Sequence, residues 1–463
     1  MTSASGKTVD VLIGSPRDSF WETITVVLKG YYPYRLKHFR SIDESLDYGN
    51  SEGFSPILAL VDGQDGTNLT SEWIQSTKMN FPDCPVIVLH SSLAPLDFEV
   101  LKKNGADQIM HINFDREFIS DMVLKLAPIN MEGDQIPITA LMPVDLRDMD
   151  ADTQINFDVY VHLPANHRSV LMRKAGDIVD QKHLDKFKTL RQQMYIKKTQ
   201  MGQFFEYART VMSMRNMPFP ISMTEKFHRS KQVIYQIMAQ FLSGSATDYS
   251  EGKEILDKCK SIVADFELTK DLSTDELFDE ISRFAGNNRT LYHDCICLSA
   301  YAAYFAQLLG WSVEKREAAA IAGLLHNIGL AQLPASVGCK SVTEYSNEEQ
   351  SEYHLYPERS VNMVKAKKVP LPLEIAEAIG QHRETGNGKG FPKKLQGGDI
   401  SELGKLLGFA YRFHEMTALQ ENQKARTASQ AIADLRDEAL SGNGEVDLLL
   451  TTSLFKKWKP AAA

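Results

Sequence analysis

The chain has 463 residues, 43% of them hydrophobic and 24% charged, and a formal net charge of -9. That length exceeds what one hydrophobic core organises, so two or three globular domains are expected and disorder is not. The acidic balance argues against a broad nucleic-acid-binding face, which needs basic surface to neutralise phosphates, and no run of about 18 apolar residues offers a membrane span.

The N-terminal MTSASGKTVD lacks the apolar centre of a secretory signal. From Val9 to Leu126 short apolar runs alternate with amphipathic stretches. VDVLIG, PILALVD and PVIVLH read as buried parallel strands, and the segments around 18–29, 71–79, 95–104 and 115–126 carry helical spacing. The alternation predicts a doubly wound α/β domain over 7–128. A mixed stretch, 127–140, contains Pro128, Gly133 and Pro137 and reads as a linker. FDVYVHLP and RSVLMRKAG, separated by the turn-like Ala165-Asn166, predict a β-hairpin, with a short helix near 181–192, so 137–200 is expected to be a small mixed α/β module. Between Ala165 and Gln200 nine Lys or Arg face three Asp, the pattern of a solvated basic surface.

Beyond 201 the pattern changes to long helical periods, with capping boxes at Ser273/Glu276 and Ser346/Glu349 and a glycine-rich loop at 386–398. This predicts an all-α helical bundle over 201–458. The five cysteines (Cys84, Cys259, Cys295, Cys297 and Cys339) are odd in number and have no CxxC spacing. They fit buried free thiols in a reducing, cytoplasmic setting.

The first domain resembles the receiver domains of response regulators. SPILALVDGQDG resembles the third strand ending in the phosphoacceptor, which falls on Asp62, and GADQIMHINFD is similar to the segment after the fourth helix. Phosphoryl transfer to an aspartate needs Mg²⁺ held by carboxylates, plus a cation and a hydroxyl. The family's carboxylate pair falls on Ser15 and Pro16, with Asp18 too far along to replace it. The lysine falls on Ile112, the following proline on Asn113, and the hydroxyl on His90 with Ser91 adjacent. The resemblance therefore implies a pseudo-receiver with an inert Asp62, used for docking or dimerisation.

HRETGNGKGFPKKLQGGDIS at 382–401 resembles the signature loop HHExxxGxGYP followed by LxGxxI of HD-GYP domains, bacterial phosphodiesterases of cyclic di-GMP. Gly388, Gly390, Pro392, Leu395, Gly397 and Ile400 fall in register. LLHNIGLAQLP at 324–334 is similar to the family's LLHDIGKIGIP, and the resemblance covers about 270–455. The family's reaction uses two or more bridged metal ions to activate water and clamp the phosphodiester oxygens. Bridging ions that closely needs carboxylates to offset their repulsion.

Carried across position by position, the resemblance implies loss of that set. The first histidine is His293, but the acid one turn earlier falls on Arg289. The His-Asp pair is His326-Asn327, the His-Pro is Tyr356-Pro357, the double histidine is His382-Arg383, and the late aspartate is Tyr411. The phosphate-binding lysine is Leu330, and the tyrosine of the signature loop is Phe391. No catalytic residue and no cofactor are expected. The leading expectation is an inactive signalling scaffold whose partners are diguanylate cyclase-type proteins, kinases or a second copy of itself. A cyclic di-GMP receptor using Arg289, Arg383, Lys389, Phe391 and Lys393 is the alternative. A residual phosphodiesterase with one ion on His293, His326, His382 and His414 is the third; His354 is expected to point elsewhere.

Overall fold

The computed structural model describes residues 9–28, 34–52, 54–91, 96–112, 116–127, 136, 138–144, 146–163, 168–189, 193–214, 223–242, 248–265, 278, 281, 291–334, 337, 342–418 and 426–458. Two compact units divide the chain, Met1–Arg229 and Ser230–Ala463. Arg289, Asn113, Cys339, the Ala165-Asn166 turn, Pro128, Gly133, Pro137 and the Ser273/Glu276 capping box lie outside the described residues.

The first unit opens with strand β1 (Val9–Gly14), then β2 (Tyr34–Phe39), β3 (Leu58–Asp62), β4 (Val86–His90) and β5 (Gln108–His111). All pair in parallel in the order β2-β1-β3-β4-β5. β3 and β4 are buried at every position, as expected of strands covered on both faces. The chain reverses its winding direction between β1 and β3, so the carboxyl ends of those strands open onto the crevice where such folds place ligands. Asp62 ends β3, and Ser15 follows β1. The helices Asp18–Leu28, Thr67–Asn80, Phe98–Lys103 and Arg116–Leu126 fall where helical spacing predicts them.

The hairpin expected in the middle region forms from Val159–Leu163 and Arg168–Arg173, within a four-stranded antiparallel sheet completed by Leu141–Val144 and Met194–Lys197. The helix Met201–Met214, which periodicity alone joins to the C-terminal bundle, belongs instead to this module. Its residues Phe204, Tyr207, Ala208 and Val211 recur at the spacing of one helical face and bury among Phe157, Val159, Val161 and Ile196. Helical period cannot say which sheet or bundle an amphipathic face will meet.

The second unit is helical among the described residues. Helix Leu291–Leu309 packs on Val313–Leu325 and on Glu402–Thr417, and Tyr356–Ala366 and Leu373–Gln381 pack alongside. Start signals set these boundaries. Ser312 and Ser401 accept hydrogen bonds from Lys315 N and Gly404 N, the Ser346/Glu349 capping box forms, and Pro357 opens its helix at the first turn, where a missing N–H costs nothing. No described helix is long and apolar enough to cross a membrane.

Candidate functional site

In the helical unit, helix Val313–Leu325 ends at His326 and runs through Asn327 into a short 3-10 turn, Ile328–Gln332. That turn lies against the helix start at Tyr356. A Cβ on Gly329 would stand 2.2 Å from the Tyr356 carbonyl oxygen, so only glycine lets the two backbones meet. The Ser360 hydroxyl joins them, accepting from Gly329 N at 2.8 Å and donating to the His326 carbonyl at 2.9 Å. The signature loop follows His382, the C-cap of Leu373–Gln381. Glu384 is buried, and its carboxylate accepts from Lys393 N and Leu395 N at 2.6 and 2.9 Å, which ties the loop back on itself.

His326 and His382 meet edge to face with ring centroids 5.1 Å apart. Each Nδ1 lies 2.7 Å from a carbonyl three residues earlier, Gly323 O and Ile379 O. Those contacts assign Nδ1 as the N–H donor and leave Nε2 as the lone pair, the tautomer a metal-ligating imidazole needs. Burial pushes His326 down to about 4 and His382 well below its ordinary value, with Arg383 adding to both shifts, so both rings are neutral at pH 7.

The lone pair of His382 is already used: the Tyr356 hydroxyl donates to Nε2 at 2.8 Å. Beside it Arg383 donates to the hydroxyls of Tyr411, Tyr353 and Tyr356 at 2.6, 3.2 and 3.3 Å. Its guanidinium stands 4.2 Å from the Tyr411 ring centroid and 4.8 Å from that of Phe391. No carboxylate pairs with it among the described residues. Phenol oxygens and aromatic faces hold the charge instead. Burial raises Tyr356 and Tyr411 above the usual phenol range, so both act as neutral hydroxyls.

Asn327 faces away from these groups. Its Oδ1 accepts from the Cys295 thiol at 2.8 Å, and its Nδ2 donates to the Leu291 carbonyl at 3.3 Å. His354 stacks on Phe391, centroids 4.2 Å apart. Lys389 and Lys393 are exposed on the loop.

The histidines His293, His326, His382 and His414 form two pairs. His293 and His414 have ring centroids 5.8 Å apart, and Asp294, which sequence comparison did not single out, lies between them. His414 Nε2 is 2.8 Å and His293 Nδ1 3.5 Å from the same Asp294 oxygen, and the three ligand atoms lie within 4.8 Å of one another. The signal available in the sequence was an acid beside a histidine at the start of an otherwise apolar helix. Tyr353, Ser360 and Glu384 were also missed, because hydroxyls and a loop carboxylate carry no spacing signature.

In the first unit, Asp62 is buried and accepts from Ser15 Oγ at 2.6 Å, Gln64 N at 2.9 Å and Arg17 Nη1 at 3.0 Å. Arg17 also pairs with Asp65. Burial raises the Asp62 carboxyl above its ordinary value, and Ser15, Gln64 N–H and Arg17 oppose the rise. Asp18 pairs with Arg40 at 2.7 Å. Ile112 is fully buried, and His90, held near pKa 4 by burial, packs on His111 and Phe98.

Residues 271–443 match the HD domain family. Over 140 residues the chain is 26% identical to 3′3′-cGAMP-specific phosphodiesterase 1 of Vibrio cholerae, covering 30% of this chain and 32% of that protein. The chain thus spans about a third of the length of that relative. Among solved structures, Bd1817, an HDG"Y"P protein from Bdellovibrio bacteriovorus, aligns at 18% identity over 68% of this chain and 98% of that one, with a TM-score of 0.42. A response regulator from Thermotoga maritima aligns at 18% identity over 26% of this chain and 97% of that one, with a TM-score of 0.23.

Proposed function

We propose that this chain is a catalytically inactive HD-GYP-like signalling protein, a scaffold in cyclic di-nucleotide and two-component signalling in the cytoplasm. One observation carries the reading. At the His326/His382 pair the groups facing the imidazoles are phenols and the Arg383 guanidinium, and the Asn327 carboxamide faces Cys295. A bridged pair of divalent ions needs carboxylates between them and repels a fixed cation. The residues present do not suit such a cluster. Leu330, at the phosphate-binding position, packs against the cluster of Leu333, Tyr353 and Tyr356, where an ammonium would be needed to meet a phosphate.

The direct test is hydrolysis by the purified chain, with Mn²⁺ or Fe²⁺ supplied, of cyclic di-GMP, its linear product and 3′3′-cGAMP, the nucleotide named for the Vibrio relative. The expected outcome is turnover no faster than buffer. Turnover that disappears in His326→Ala would overturn the proposal.

A second reading, a receptor that binds cyclic di-GMP without cleaving it, is favoured by the exposed Lys389 and Lys393 on the signature loop. Flat calorimetric titrations with and without divalent metal would remove it. Under either reading the expected partners are signalling proteins of the cyclase or kinase type, or a second copy of the chain.

A further inference from the structure

We propose that His293, Asp294 and His414 bind one divalent transition-metal ion, of the Zn²⁺ type, between helices Leu291–Leu309 and Glu402–Thr417. This is independent of whether the chain hydrolyses a nucleotide.

The distances carry it. Nitrogen and oxygen ligands of a tetrahedral ion sit about 2.0–2.1 Å from the metal, hence about 3.3 Å from one another. Around the Asp294 oxygen the two nitrogens stand at 2.8 and 3.5 Å, and all three atoms fall within 4.8 Å. The longer separation exceeds a normal N–H···O bond, yet suits two ligands sharing an ion.

The chemistry of the set agrees. Two imidazoles and one carboxylate are a common triad for Zn²⁺ or Fe²⁺, and the carboxylate offsets half of the ion's charge. The other ring nitrogen of His293, Nε2, lies 3.6 Å from Cys297 Sγ, a weak polar contact on the side away from the ligand atoms. Asp294 is the one carboxylate in the group, so the triad supplies a single ion's ligands and no bridge to a second.

The ion would staple two helices whose contact orders the unit, since His293 opens one and His414 lies in the last turn of the other. This set shares only His293 and His414 with the ion position expected from sequence, which also drew on His326 and His382.

The test is calorimetric titration of Zn²⁺ into the full chain after chelator treatment, with Co²⁺ as a spectroscopic probe. One equivalent should bind at the tightest site, and Co²⁺ should give a ligand-field band. Asp294→Asn, which keeps the side-chain volume, and His414→Gln should each weaken that site at least about a hundredfold and abolish the band, with the circular dichroism unchanged. His382→Gln should retain one equivalent. No tight equivalent in the wild type, unchanged affinity in Asp294→Asn, or loss of the ion in His382→Gln would overturn the assignment. A bound ion without turnover leaves the scaffold reading intact, whereas turnover defeats that reading and not this one.

Discussion

The Asp62 pocket and the His326/His382 pocket both contain an arginine and hydroxyl groups where their resembled families place metal ions, but they hold the arginine differently. The receiver-like site keeps its acid. A buried carboxylate needs a counter-charge, and Arg17 supplies positive charge of the kind Mg²⁺ would otherwise bring, while Ser15 donates a hydrogen bond. The helical site keeps imidazoles, neutral when buried, and has phenols or an amide at three of its acid or histidine positions. A cation there finds no ion pair among the described residues, so Arg383 is stabilised by three phenol oxygens and two ring faces. The first arrangement is electrostatic neutralisation and the second is dipole and π solvation. They should therefore respond differently to substitution and to pH.

The largest effect is expected at Arg383. Arg383→Ala removes partners from three phenols and opens a cavity among Tyr353, Phe391 and Tyr411, which should cost about 3 kcal/mol. Urea unfolding read by hydrogen exchange in the helical peptides measures it. The loss should be nearly constant from pH 6.5 to 8, because Tyr356 and Tyr411 stay neutral. A loss that vanishes with added salt would show that the guanidinium answers to a distant carboxylate instead.

Acid separates the two sites more sharply. The His326 pKa is depressed to about 4 and that of His382 lies lower still. Their contribution to stability is fully present above the unfolded value of about 6.5 and is lost as pH falls toward 4. Since Arg383 adds to both depressions, Arg383→Ala should soften this acid sensitivity even as it lowers stability at pH 7. Asp62 runs the other way. Its carboxyl is raised in the folded state, so the strain of ionising it is absent below about 3.9 and grows as pH rises through the folded pKa. Arg17→Met should therefore cost about 1–2 kcal/mol at pH 7 and nearly nothing in acid. An equal cost at both ends of the range would mean that Arg17 acts by packing alone.

Much of this was legible in the sequence. Strand runs such as VDVLIG and PVIVLH announced a parallel sheet because both faces are buried, and the Ser346/Glu349 box announced a helix start. The register of HRETGNGKGFP located the loop. Hidden were the edge strand Tyr34–Phe39, whose interspersed basic residues give no apolar run, the inner strand Met194–Lys197, too short to carry a period, and the docking of Met201–Met214 on the sheet. In the site, a family position said that Asn327 replaced an acid but could not say that the amide would turn to Cys295. Nor could spacing pair His414 with Asp294, 120 residues apart, since that contact depends on how two helices cross.

A smaller effect is expected at Tyr356. The phenol is fully buried and its hydroxyl joins the two residues that define the pocket, donating to His382 Nε2 and accepting from Arg383. Tyr356→Phe keeps the ring among Tyr353, Phe391 and Leu333 and deletes only those hydrogen bonds, so the cost should be about 1 kcal/mol. Nitrogen NMR of the His382 ring should show Nε2 losing its donor, with Nδ1 still protonated toward Ile379. A cost above about 3 kcal/mol would instead indicate that the hydroxyl organises the whole cage.

The smallest change is the most diagnostic for Asp62. In an active receiver the aspartate is the reacting group, and its surroundings favour the charged form because a metal sits beside it. Here burial is the dominant influence, and Arg17, also held by Asp65, compensates only in part. Asp62→Asn preserves the volume, and its single carbonyl oxygen can accept from Gln64 N while its amide N–H donates to Ser15 Oγ, so a charge that the fold penalises is removed. The substitution should leave stability at pH 7 unchanged or raise it by up to about 0.5 kcal/mol, and the difference should disappear as the wild-type carboxyl becomes protonated. A loss of more than about 1 kcal/mol would mean that the Asp62–Arg17 pair does stabilise the unit, and that the two arginines solve their problem in the same way after all.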